Sequence, residues 1–77
     1  MNQKVDRNNV QKQLGARITK LRERKGLTQN LFADRCGLTQ PQMKRIEDGE
    51  VDLSLNTMRI VAQELGTTIS SLFHDLA

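Results

Sequence analysis

The sequence predicts an all-α domain, a compact five-helix bundle, on three observations. Apolar residues recur at helical spacing in successive segments, as at Leu14, Ile18 and Leu21. Gly26, Gly37, Gly49 and Gly66 each end such a segment, and Thr28, Thr39 and Ser54 follow as ready N-caps. Two Phe with no Tyr or Trp leave an aliphatic core, and a chain of 77 residues holds one core that buries only about 60% of its unfolded surface.

Residues 1–9 are polar and read as a flexible N-terminal tail, with Lys4 and Arg7 in reach of a polyanion as an arm. Residues 10–77 form the domain. The first helix is expected from Val10 to Lys25, capped by Asn8 or Asn9, with its apolar stripe opposite a basic face. The second begins after Thr28 and stops at Gly37. The third has Thr39 as N-cap and Gln42 three residues on, a capping-box arrangement, with Pro41 in the first turn where a missing N–H costs little. Gly49 closes it, and the loop Glu50 to Leu53 leads to Ser54. The fourth helix turns Leu55, Met58, Val61, Ala62 and Leu65 inward and leaves Ile60 off that stripe, ending at Gly66. A short fifth helix after Thr68 sets Ile69, Leu72, Phe73 and Leu76 on one face. Ile60, Phe73 and Leu76 are the apolar positions a small bundle has least room to bury, and they are the candidate contacts of a homodimer.

The stretch Gln29 to Asp48 carries the strongest signal. Ala33 stands where a larger side chain would hold two crossing helices apart, and Gly37 can take the positive φ that starts a tight turn. Phe32, Cys36, Leu38, Met43 and Ile46 close the pair. Gln40, Gln42, Lys44 and Arg45 fall on the side that cannot be core, as a helix built for the major groove requires. Charge agrees with this placement. Residues 1–45 hold eleven Lys and Arg against Asp6, Glu23 and Asp34, a net of +8, whereas the remainder is −5. The basic half contains the helical pair, so a polyanion docks there while the acidic half stays open to protein contacts.

These segments resemble the phage-repressor family of Xre and Cro-like helix-turn-helix domains, the lambda-repressor-like DNA-binding fold, over nearly everything from Leu14 to Phe73. LGARITKLRERKGLTQNLFADRCGL is similar to the family's first two helices, MKRIEDG to its recognition-helix exit, and SLNTMRIVAQELGTTISSLF to its last two helices. The resemblance implies a dimer that binds double-stranded DNA at a near-palindromic operator, with the recognition helix at about 39–48 in the major groove. It implies that Gln29 braces that helix and donates to phosphate, and that Gln40, Pro41 and Arg45 face base edges. Thr39, Gln42 and Lys44 stand beside them, at base or backbone. It further implies an internal ion pair, Arg22 with Glu47. Chemistry agrees with these roles, since Gln pairs bidentately with adenine and Arg with guanine, while Pro41 offers only apolar contact. The chain departs from the family pattern at Pro41, in the acidic Asp48, Glu50 and Asp52 after the third helix, and at Leu31, usually polar.

The function expected is a sequence-specific transcriptional regulator, a dimeric repressor. Two alternatives stand beside it: an antitoxin that autoregulates its promoter, and a restriction-modification controller protein. RNA polymerase or a toxin is the further partner class. Catalysis has little support, because His74 is the only histidine and has no second ligand or nucleophile at a useful spacing. The acidic cluster at Glu47 to Asp52 lacks the remaining ligands of a calcium loop. No cofactor, no metal and no small-molecule ligand is therefore assigned. No apolar run approaches the roughly 18 residues of a membrane span, and the amino terminus has no apolar signal segment. Single Cys36 fits a reducing cytoplasm, so the expected location is cytoplasmic, at the nucleoid.

Overall fold

The computed structural model describes residues 7–76, which form α1 (Arg7–Arg24), α2 (Gln29–Arg35), α3 (Gln40–Glu47), α4 (Leu55–Glu64) and α5 (Ile69–Phe73), with no strand among them. Each helix sends one side chain to the centre: Ile18, Phe32, Met43, Val61 and Leu72 are all fully buried. Leu14, Leu27, Ala33, Cys36, Ile46, Ala62 and Leu65 complete the core around them. Burial of each large apolar side chain stabilises by about 1.5 to 3 kcal/mol, so the core is shared among the helices rather than owned by a pair.

Local chemistry sets the boundaries. Thr28, Thr39, Ser54 and Thr68 each accept a hydrogen bond from the backbone N–H three residues on, satisfying a donor that the helix leaves free. All four glycines that end helical segments have positive φ, between 71° and 73°. Among the described residues, no helix is long and apolar enough to cross a membrane.

Four sequence expectations change. Helix α1 is already helical at Arg7, the first described residue, rather than starting at Val10, so Asn8 and Asn9 are helical residues and not caps; nothing apolar marks how far the helix extends into a polar stretch. It ends at Arg24, one residue before Lys25. Leu55 was expected on the inward stripe, yet it is 69% exposed because it opens the first turn of α4, before the helix reaches the core. Ile60, expected off the stripe, is partly buried against the core. Phe73 and Leu76 are also half-buried there, Leu76 from beyond α5. The tail expectation for residues 1–6, including Lys4, lies outside the described residues.

Candidate nucleic-acid interface

The turn between α2 and α3 is closed by backbone chemistry. At Gly37, φ is +73°, and Leu38 N–H donates back to the Ala33 carbonyl at 2.9 Å while Gly37 N–H donates to Asp34 at 3.1 Å. This six-to-one closure leaves the chain free to restart as α3 after a turn. Thr39 then caps the new helix. Its hydroxyl accepts from Gln42 N–H at 3.2 Å, and the Gln42 side-chain oxygen accepts from Thr39 N–H at 2.8 Å. Pro41 sits in the first turn, with no donor to lose. The capping box holds the oxygen of the Gln42 amide against Thr39 N–H, which leaves its amino end the better placed for a ligand.

Behind α3 lies a buried polar hub. Arg22 Nε donates to Glu47 Oε2 at 2.7 Å and a second guanidinium nitrogen to Oε1 at 3.1 Å, a two-pronged pair with both residues under 10% exposed. A third guanidinium bond, 2.7 Å long, reaches the Leu27 carbonyl and ties the loop after α1 into the same unit. Gln29 Nε2 donates to Glu47 Oε1 at 2.9 Å, and Gln40 Nε2 donates to Gln29 Oε1 at 2.6 Å. The direction of this chain follows from its buried end. An ionised carboxylate only accepts, so Gln29 must present its amino group to Glu47 and its oxygen to Gln40. Gln40 is left with its oxygen and one N–H uncommitted, an acceptor beside a donor.

Backbone contact fixes how α1 meets this unit. A Cβ placed on Gly15 would come within 2.6 Å of the Ile46 carbonyl oxygen and 2.8 Å of the Glu47 carbonyl carbon, so only glycine lets α1 lie directly on the end of α3. Gly49 makes the same allowance for Lys12, whose Cα would stand 2.6 Å from its Cβ. On α1, Arg17 donates to the carbonyls of Ser71 at 3.2 Å, Leu72 at 3.4 Å and His74, closing the end of α5. Gln11 donates to Asp52 and so holds the loop before α4. Sequence reasoning missed Gly15 and Arg17. A glycine inside a helical pattern with no turn was a readable sign of close approach, whereas nothing marked Arg17.

The solvent side of α3 presents Pro41, Gln42, Lys44, Arg45 and Asp48, with Thr39 exposed before them and Gln40 half-buried. Arg45 is exposed and borders a cleft shared with Leu38, Gln42, Val51, Ser54 and Thr57. Lys44 donates to Asp48 at 2.8 Å. That hydrogen bond, then the charges of Asp48 and Glu50, holds the ammonium above its ordinary range. The arrangement offers planar hydrogen-bonding groups and fixed positive charge along one helix edge, which suits base edges and phosphates.

A family model for the helix-turn-helix domain matches residues 13–72. The sequence is 33% identical over 70 residues to control protein C.MunI of a Mycoplasma species, covering 90% of this chain and 95% of that protein. It is 34% identical over 58 residues to the propionyl-CoA carboxylase regulator of Cereibacter sphaeroides, which covers 75% of this chain and spans 13% of that much longer protein. Among solved structures, the restriction-modification controller protein C.AhdI from Aeromonas hydrophila has a TM-score of 0.77 at 31% identity, covering 80% of this chain and 94% of that one. The clp gene regulator ClgR from Corynebacterium glutamicum shares the fold, with a TM-score of 0.80 at 22% identity over 83% of this chain and 82% of that one.

Proposed function

Because this chain belongs to the Xre-like helix-turn-helix family of DNA-binding transcription regulators, we propose that it acts as a homodimeric repressor that lays α3 in the major groove of a near-palindromic operator. The observation that carries this reading is the hydrogen-bonded line from Glu47 through Gln29 to Gln40, which pre-orients an amide on the exposed edge of a capped helix. Gln40 then reads an adenine with its oxygen and remaining N–H, Arg45 reads a guanine, and Pro41 packs on a thymine methyl. Gln29, Thr39, Gln42 and Lys44 hold the phosphate backbone. Ile60, Phe73 and Leu76 supply the contact between two copies, which sets the recognition helices about 34 Å apart, one turn of duplex. The activity is binding rather than catalysis, and its place is the nucleoid of the cytoplasm.

A second reading, control of a restriction-modification gene pair, is supported by the two control proteins whose lengths this chain nearly spans. It differs in the gene regulated and not in the chemistry of α3.

Incubating the protein with a pool of random duplexes at about 150 mM salt, where non-specific binding is weakened, and sequencing what is retained tests the reading. Recovery of an inverted repeat with half-site centres about 10 base pairs apart supports it. Recovery of the unselected pool overturns it.

A further inference from the structure

Lys44 and Asp48 form an ion pair one helical turn apart, Nζ to Oδ2 at 2.8 Å, on the side of α3 that faces solvent. Both side chains stay open, 62% and 41% exposed, so neither is held there by the core. Asp48 is the C-cap of α3. A carboxylate at that end meets the negative pole of the helix dipole, where a cation is favoured, and this opposes the small gain of an ion pair one turn apart in its poorer order, so helix stability gives little reason for it. Nor does a plain demand for DNA affinity, which a negative charge beside phosphates opposes. Its geometry does account for it: the carboxylate occupies the position on the Lys44 ammonium that a phosphate oxygen would take.

We propose that Asp48 is a tethered stand-in for phosphate, holding Lys44 off the DNA backbone and so lowering affinity for arbitrary sequence relative to the operator. The inference rests on the reading that α3 enters the major groove. A lysine that meets a phosphate releases a cation condensed on the DNA, and that release drives non-specific binding. Here the exchange also uncovers the Asp48 carboxylate. It is part of the chain, so it stays beside the duplex and draws a cation back, which cancels the release. Lys44 therefore adds little to binding at sites where nothing else holds α3 in place, and it swings to phosphate where Gln40 and Arg45 have made their base contacts. The acidic residue at the end of a DNA-facing helix is thus a specificity-determining residue that acts through Lys44.

The test is a cycle of four proteins, the wild type, Asp48→Asn, Lys44→Met and the double variant, titrated against a random-sequence duplex of roughly 20 base pairs between about 50 and 200 mM salt. All positions are exposed, and Asn keeps the shape of the cap. Asp48→Asn alone should bind several-fold tighter at the low-salt end, with a salt slope steeper by about one. In the Lys44→Met background the same change should leave the slope where it was. An equal steepening in both backgrounds would mean that the carboxylate acts by plain repulsion, which overturns the tether, as would no change in either. A wild type that binds no duplex at the lowest salt overturns instead the groove reading on which the inference rests.

Discussion

The carboxylate of Glu47 accepts the side-chain amide of Gln29 at 2.9 Å. Through that bond the buried ion pair that ties α1 to the end of α3 and the polar edge facing solvent form one connected unit. Stability and readout are therefore coupled at Glu47, and each can be probed from it.

Glu47→Ala should cost roughly 3 to 5 kcal/mol in urea unfolding, because it leaves the Arg22 guanidinium buried with only the Leu27 carbonyl beside it. Replacing both partners, Arg22→Met with Glu47→Leu, should recover at least half of that loss. A single-variant loss below about 1 kcal/mol would place the pair in water rather than in the core.

Gly15→Ala should destabilise by about 1 to 3 kcal/mol even though alanine is the better helix former, since the added methyl runs into the Ile46 and Glu47 carbonyls. Gly26→Ala is the control. It meets nothing within 4 Å and carries only the strain of its positive φ, so its cost should stay near 1 to 2 kcal/mol. Chemical denaturation of both variants gives the comparison, and reduced duplex affinity in Gly15→Ala alone would show α3 displaced.

Arg45→Ala should flatten the preference at one base position per half-site, worth about 1 to 3 kcal/mol of discrimination, and leave most of the affinity for arbitrary duplex. Gln29→Ala should instead weaken binding to every sequence. Repeating the random-duplex selection with each variant separates the two, and an equal loss on all sequences for Arg45→Ala removes it from base readout.

Stability should fall as pH rises above 9. Burial, with the charge of Glu64 adding to it, pushes the Cys36 thiol from 9.0 up to about 11. Between those values the unfolded chain has lost its proton and the folded chain has kept it, so alkali favours unfolding. The unfolding free energy from urea titrations should drop further between about pH 8 and about pH 10.5 for the wild type than for Cys36→Ala, by roughly 1 to 2 kcal/mol. Effects of alkali common to both proteins cancel in the difference; equal drops would mean the thiol is in contact with water.

The turn, the caps and most of the core were legible because their causes are local. Gly37, Thr39 and Gln42 act on residues within a few positions of themselves, and the apolar stripe of a helix repeats every turn. Leu55 misled because periodicity says which face a residue is on and not whether its turn has reached the core. Asn8 and Asn9 misled because either would cap a helix, and a polar stretch carries no apolar period to show that the helix already includes them. Arg17 and Gly15 act on carbonyls far away in the chain, so their importance exists only once the helices are side by side. Arg22, Glu47, Gln29 and Gln40 were assigned by resemblance, but their joining into a directed line of bonds is a property of the folded unit.

The contact at Gly15 also bears on how such a domain could change its target over generations. Helix α3 is seated by backbone resting on backbone, a support indifferent to which side chains it displays outward. Pro41, Lys44 and Arg45 hold nothing in the interior and can be exchanged without moving their helix, whereas Gln40 and Gln42 are tied into bonds that other residues would break. New operators should therefore be acquired mainly through Pro41 and Arg45, the exchangeable positions that face bases, while Gln40 keeps part of the old alphabet in place.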